Sequence, residues 1–79
     1  MKPEIAFGRV LRNYRNKIKY SQERLSSESG LDRTYISLLE RGLRQPSLTS
    51  MLNIAKALKI SPVEMMTKID ALHKENSKN

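Results

Sequence analysis

The sequence predicts an all-α fold, a compact bundle of five helices with a helix-turn-helix at its centre. Apolar residues recur at intervals of three and four along most of the chain, and no segment alternates apolar and polar residues long enough to form a strand. Serine, aspartate, glycine and proline interrupt this pattern at places that suit the beginnings and ends of helices. Because the 79 residues include no cysteine, packing alone must stabilise this single domain, and helices achieve that most economically.

The first helix is predicted over residues 4–17. Pro3 suits its first turn, because a proline there gives up no intrahelical hydrogen bond. One face of this helix is basic, and the other carries the apolar residues Phe7, Val10, Leu11, Tyr14 and Ile18. Such an amphipathic pattern indicates a helix that covers the core with its apolar face inward.

The next two helices are short and closely spaced. Ser21 offers a side-chain oxygen to the free amides of a helix at residues 22–29, and Gly30 ends that helix. Asp32 then caps a helix predicted at residues 33–41. Two helices of two to three turns, joined by about three residues that include a glycine, form a helix-turn-helix.

Two further helices complete the predicted bundle. The fourth begins after Ser47, and its wide apolar face consists of Leu48, Met51, Leu52, Ile54, Ala55 and Leu58. The fifth is predicted over residues 62–72, where Ser61 followed three residues later by Glu64 predicts a capping box. Residues 1–72 thus form the domain, and residues 73–79 are expected to be a frayed polar tail.

Charge and composition narrow the function. Fifteen Lys and Arg against eight Asp and Glu give a net charge of +7 and a pI near 10.1, which favours an anionic partner such as nucleic acid. The only histidine, His73, lies in the polar tail, and the acidic residues are spread singly. Neither a catalytic constellation nor a metal or cofactor site is therefore indicated. Without a membrane-length apolar run or a signal peptide, we expect a soluble cytoplasmic protein that is not an enzyme.

The run SQERLSSESGLDRTYISLLERGLRQPS resembles the helix-turn-helix domains of the phage-repressor-like family (Xre, Cro and cI). With LRNYRNKIKYSQ before it and LNIAKALKISPVEM after it, the resemblance covers about residues 7–66. It implies a lambda-repressor-like DNA-binding domain. Within the family, LDRTYISLLERG is most similar to the small controller proteins of restriction–modification systems. Those proteins regulate their own and neighbouring promoters as dimers, so the resemblance implies an autoregulatory transcriptional regulator.

Two positions depart from the family pattern. Lys19 stands where a glycine is usual before the second helix, and a left-handed backbone conformation there costs a lysine about 1 kcal/mol. Ser26 stands where alanine is commoner. It is still small enough for two helices to cross closely, and its hydroxyl can bond back along its own helix.

The resemblance implies that the helix at 33–41 enters the major groove of DNA by its N-terminal half. Arg33 is the first candidate for reading bases, because its planar fork matches O6 and N7 of guanine. The other candidates for base contact are Thr34, Tyr35, Ser37 and Leu38. Two alternatives stay open: Arg33 as a solvated cation of the first turn, and Tyr35 as half-buried packing against the second helix.

A second group of residues is expected to position the protein on the DNA backbone. It comprises Gln22, Arg41, Arg44, Ser47 and Thr49. Gln22 matches a family glutamine that grips phosphate, and Ser47 and Thr49 lie at a helix N-terminus, which favours anions. Their alternatives are a simple helix-start residue for Gln22 and ordinary surface charge for the two arginines. Arg15 and Glu40 match a pair that is common in the family, and we assign them a structural role.

One helix in one groove reads only about four or five base pairs, which is too few to specify a site in a genome. Two-fold dimerisation doubles the site, so we expect a homodimer that binds a palindromic operator, as the resemblance also implies. The interface is predicted on the fifth helix, at Val63, Met66, Ile69 and Leu72. The alternative is that this apolar face closes the core of a single chain. RNA polymerase is a further candidate partner, through Glu23 or Glu28 on the second helix.

Other functions fit the sequence less well. An antitoxin, or the repressor of a phage or mobile element, would have the same fold, and the neighbouring genes would distinguish these cases. A basic helical module that binds an acidic protein or a membrane surface needs one continuous basic amphipathic helix. Here the charge is distributed over several elements instead.

Overall fold

Five helices account for the regular structure of the described part of the chain. The computed structural model describes residues 1–75. Its helices are α1 (Pro3–Lys17), α2 (Gln22–Ser29), α3 (Arg33–Glu40), α4 (Leu48–Ala57) and α5 (Pro62–Glu75). The predicted all-α fold is confirmed. The predicted helix at 33–41 is one residue too long, because Arg41 has left the helical conformation and forms the C-cap of α3.

Side-chain caps set the beginnings of three helices, as their sequences predict. The side-chain oxygens of Ser21, Asp32 and Ser47 accept hydrogen bonds from backbone amides in the first turns of α2, α3 and α4. These bonds satisfy amides that have no partner within the helix. Gly30 ends α2 in the left-handed conformation with φ of 73°. The turn between α2 and α3 is therefore as tight as a helix-turn-helix requires.

The corner between α1 and α2 is left-handed although it has no glycine. Lys19 has a φ of 59°, and the amide of Tyr20 donates to the carbonyl of Arg15 at 3.0 Å. The chain thus keeps the family geometry with a lysine, at an expense of about 1–2 kcal/mol. At the second departure, the Ser26 hydroxyl donates across the turn to the carbonyl of Leu31 rather than back along α2. It therefore stabilises the turn of the helix-turn-helix.

The helix α5 begins at Pro62 as predicted, but its capping box and its C-terminal end differ from the predictions. Ser61 accepts from the amide of Val63 at 3.1 Å, but the Glu64 carboxylate accepts from the Tyr14 hydroxyl at 2.9 Å. The predicted capping box is therefore wrong. The helix also continues past residue 72 to Glu75, where Nδ1 of His73 donates to the carbonyl of Met1 at 2.6 Å. The prediction of a frayed tail is wrong for residues 73–75, and residues 76–79 lie outside the described part.

All five helices contribute to one core. The largest fully buried side chains are Leu11, Leu25, Ile36, Leu39, Ile54, Leu58 and Met65. Burying each such side chain contributes about 1.5–3 kcal/mol. Gly8 brings α1 very close to the end of α3, because a Cβ added there would lie 2.5 Å from the carbonyl oxygen of Leu39. This close crossing places Glu40 beneath α1.

Candidate nucleic-acid interface

The first turn of α3 presents two of the predicted base-contact residues to solvent. Arg33 and Thr34 are exposed, and Asp32 holds the start of the helix by accepting from the amide of Thr34 at 3.1 Å. Nη1 of Arg33 lies 3.9 Å from Oε2 of Glu23, and the two side chains are 64% and 81% exposed. An exposed ion pair at this distance contributes little free energy. The Arg33 guanidinium therefore remains accessible.

The second turn of α3 is partly covered by the start of α4. Tyr35, Ser37 and Leu38 are half-buried. The Tyr35 hydroxyl donates to Oγ of Ser50 at 3.4 Å, and the Arg44 guanidinium lies 5.5 Å from the centre of its ring. Tyr35 thus contacts α4 and the loop before it. This cation–π contact also holds Arg44 near α3.

The N-terminus of α4 lies in the same neighbourhood. Oγ of Ser47 accepts from the Ser50 amide at 3.0 Å and lies 2.9 Å from Oγ of Ser50. Ser47 and Thr49 are exposed. The amides of Leu48 and Thr49 precede the first intrahelical hydrogen bond and carry the positive end of the helix dipole. Through the contacts of Tyr35, this anion-favouring helix end is adjacent to α3.

The start of α2 is joined to the end of α3 by a buried ionic network. Glu40 accepts from Nε of Arg15 at 2.5 Å and from its Nη2 at 2.9 Å, which pairs the two residues as the sequence predicts. The hydrogen bond to Glu40 raises the pKa of Arg15 above its ordinary value, although burial acts in the opposite direction. Nε2 of Gln22 donates to Oε1 of the same carboxylate at 3.2 Å. Gln22 is the first residue of α2 and is half-buried, whereas its neighbours Ser21 and Glu23 are exposed.

The two remaining arginines of the predicted backbone group lie just beyond α3. Arg41 and Arg44 are both exposed. Arg41 is the C-cap of α3, and the loop that follows turns at Gly42, whose φ is 71°. Two exposed cations therefore lie between α3 and the start of α4.

The predicted interface residues of α5 do not form a single exposed face. Val63 and Met66 are 75% and 45% exposed, whereas Ile69 is 6% exposed and belongs to the core. Leu72 is half-buried against that core. Assigning Ile69 to a dimer surface is therefore wrong for this chain, because its side chain closes the core of the single chain instead. On α4, Leu48 and Leu52 are also exposed apolar side chains.

The sequence did not single out Ser50, and it did not predict the surroundings of Glu23, Leu48 and Leu52. Ser50 is buried and holds the Tyr35 hydroxyl, and Glu23 faces Arg33. Leu48 and Leu52 belong to the predicted apolar face of the fourth helix but are 72% and 45% exposed. The spacing of three between Ser47 and Ser50 was a sequence signal for Ser50, because a capping side chain accepts from the amide of the third residue of its helix. The other three depend on how the helices cross.

Comparison with known proteins decides the family. Residues 11–65 match the helix-turn-helix family. The control protein C.BamHI of Bacillus amyloliquefaciens is 43% identical over 63 residues, which make up 78% of each chain. The restriction–modification controller protein C.AhdI from Aeromonas hydrophila has a crystal structure that matches with a TM-score of 0.76 and 45% identity, over 78% of this chain and 94% of that one. The chain belongs to these helix-turn-helix controller proteins.

A third similar controller protein has been solved as an assembly on DNA. The structure of C.Esp1396I matches with a TM-score of 0.82 and 31% identity, over 90% of this chain and 93% of that one. That protein was solved as a tetramer in complex with its natural 35 base-pair operator. Within residues 1–75 of the present controller protein, no helix is both long and apolar enough to cross a membrane.

Proposed function

We propose that this controller protein binds a palindromic operator in double-stranded DNA as a homodimer and thereby regulates transcription, including that of its own gene. The observation that carries the proposal is the exposed first turn of α3, which starts three residues after the left-handed Gly30 and presents Arg33 and Thr34. A helix presented in this way fits the major groove. The operator complex of the related C.Esp1396I supports the same partner.

Base readout is assigned to α3. Arg33 pairs with a guanine, and Thr34 donates to or accepts from a neighbouring base edge. Ser37 and Leu38, which are half-buried, contact bases only through the parts that face the groove. The Tyr35 hydroxyl lies 3.4 Å from Oγ of Ser50, and Tyr35 contacts the DNA through this hydroxyl or through its ring.

Backbone positioning is assigned to residues on three sides of α3. They are Gln22, Arg41, Arg44, Ser47 and Thr49. The two arginines supply charge, whereas the start of α4 supplies free amides and a helix dipole for a phosphate. Because phosphate contacts release counterions, the affinity should fall steeply as the salt concentration rises.

Dimerisation is assigned to the exposed apolar side chains of α5 and α4. On α5 the candidates are the exposed Val63 and Met66 and the half-buried Leu72, and on α4 they are the exposed Leu48 and Leu52. A two-fold dimer places its half-sites about 10 base pairs apart, one turn of DNA. RNA polymerase is a further proposed partner, and it would contact α2, where Glu23 and Glu28 are exposed.

Selection from a random duplex library tests the proposal. The full-length protein should enrich a two-fold symmetric site whose half-site centres are about 10 base pairs apart. Fluorescence anisotropy should then give an affinity for that site at least 1,000-fold above that for random DNA, roughly the lower end for specific regulators. Enrichment of no sequence, or equal affinity for both duplexes, would contradict the proposed function.

A further inference from the structure

The buried carboxylate of Glu40 has a contact that its structural pair with Arg15 does not explain. Its side chain is fully buried, and Oε1 accepts both from Nη2 of Arg15 at 2.9 Å and from Nε2 of Gln22 at 3.2 Å. Arg12 approaches the same oxygen, with Nε at 3.5 Å, but its side chain is 59% exposed. Glu40 therefore reaches from the core to the first residue of α2.

We propose that Glu40 is a positioning residue for Gln22, which fixes the direction of the Gln22 carboxamide before DNA arrives. An ionised carboxylate only accepts hydrogen bonds, whereas a carboxamide has a donating NH₂ end and an accepting oxygen. The NH₂ end of Gln22 must therefore face Glu40, since the reverse orientation would place oxygen against oxygen. One N–H and the carbonyl oxygen of the amide remain for DNA.

Arg15 connects Glu40, at the end of α3, to the corner that precedes α2. Arg15 binds the carboxylate through two nitrogens, and its Nη1 donates to the carbonyl of Tyr20 at 2.7 Å, at the corner just before α2. Glu40 itself ends α3, where α1 crosses most closely at Gly8. The anchor for Gln22 is thus built from the ends of α1 and α3, with the exposed Arg12 beside it.

Fixing the amide in advance should strengthen DNA binding through entropy. A glutamine that is already ordered loses less side-chain freedom when it contacts a phosphate, and ordering one such side chain corresponds to about a two- to tenfold change in affinity. This inference rests on the proposed function, because it assumes that Gln22 contacts DNA. The orientation itself is a property of the free protein and can be measured without DNA.

A double-mutant cycle separates positioning from structural support. Glu40→Gln should weaken binding to the selected operator by about two- to tenfold, and it should have no further effect in a Gln22→Ala background. Glu28→Gln is the control, since it removes the same charge from an exposed residue that pairs with Arg24. If Glu40→Gln lowers the operator affinity equally with and without Gln22, the proposal is overturned. The proposal is also overturned if the effect of Glu40→Gln disappears only in an Arg12→Ala background, because the effect would then belong to Arg12.

Exchange of side-chain amide protons with water provides the second measurement by NMR. The chain has two glutamines, and Gln45 is exposed, so it serves as an internal reference. In the wild type without DNA, the Gln22 amide should exchange several-fold more slowly than the Gln45 amide, even if Glu40→Gln proves unable to fold. Equal rates would overturn the proposal directly. Slow exchange in a protein that binds no operator would instead contradict the proposed function.

Discussion

The hydroxyl of Tyr14 donates a hydrogen bond of 2.9 Å to the Glu64 carboxylate, which links α1 to the first turn of α5 across 50 residues of sequence. Burial raises the pKa of Tyr14 above its ordinary value, and the hydrogen bond and the negative charge of Glu64 raise it further. The neutral phenol is therefore the form that the fold stabilises. This contact makes part of the stability sensitive to alkaline pH.

Tyr14→Phe should remove that sensitivity. Because the folded pKa is above the unfolded value of roughly 10, the stabilisation is complete below pH 10 or so and is lost as the pH rises through the folded pKa. The variant should be less stable by about 0.5–1 kcal/mol near neutral pH, as expected for one exposed hydrogen bond. Urea unfolding from pH 7 to 11 measures the difference, with Tyr20→Phe as the control. A difference that stays constant up to pH 11 would show that Glu64 does not hold the phenol.

Gly8→Ala should destabilise the crossing of α1 over α3. Its Cβ would lie 2.5 Å from the carbonyl oxygen of Leu39 and 2.7 Å from that of Glu40, and backbone atoms cannot move aside as a flexible side chain can. We expect a loss of about 1–3 kcal/mol in the free energy of unfolding, as for other overpacked sites. Urea unfolding followed by circular dichroism gives this value.

Gly30→Ala is the matched control for Gly8. An added Cβ at Gly30 would meet nothing within 4 Å, but its φ is +73°, so its loss of about 1–2 kcal/mol comes from the backbone alone. Gly8→Ala should in addition displace the end of α3 that carries Glu40. Wild-type stability of Gly8→Ala would contradict the close crossing.

Features set by local sequence were predictable here, and features set by helix crossings were not. The caps at Ser21 and Asp32 and the turn at Gly30 each depend on a few neighbouring residues, so their patterns located α2 and α3 closely. Glu64 carried an equally good local signal for a capping box. Its carboxylate instead binds Tyr14, because the packing of α1 on α5 brings in a partner that no local pattern contains.

Apolar periodicity likewise could not divide α5 between core and surface. Val63, Met66 and Ile69 recur at helical spacing, yet the structure leaves Val63 75% exposed and Ile69 6% exposed. The periodicity of apolar residues along one helix shows which residues share a face. It does not show which part of that face a neighbouring helix covers. The contacts of Tyr35 with Ser50 and of Gln22 with Glu40 depend on tertiary packing in the same way. The family resemblance predicted the site residues, whereas the fold supplied these neighbours.

Val63→Glu should weaken dimerisation without unfolding the chain. Val63 is 75% exposed, so a charge there costs the single chain little, whereas an apolar interface would have to bury it unpaired. Sedimentation velocity at micromolar concentrations should shift toward the monomer, and operator affinity should fall with it. Lys68→Gln, which changes the net charge equally from a position beside Val10 and Lys17, should leave the assembly unchanged. Identical sedimentation of both variants would exclude this end of α5 from the interface.

Arg33→Ala and Arg41→Ala should affect DNA binding in different ways. Loss of the Arg33 fork should reduce the binding free energy for the operator by about 1–3 kcal/mol and relax the preference at one base position. Loss of Arg41 should weaken binding to operator and random DNA alike and reduce the slope of log affinity against log salt by about one. Arg41 is the better probe of the backbone, because Arg44 also lies 5.5 Å from the Tyr35 ring. Anisotropy titrations at three salt concentrations measure both effects. Equal losses for Arg33→Ala on operator and random DNA would make Arg33 a backbone contact and leave base selection to the remaining side chains of α3.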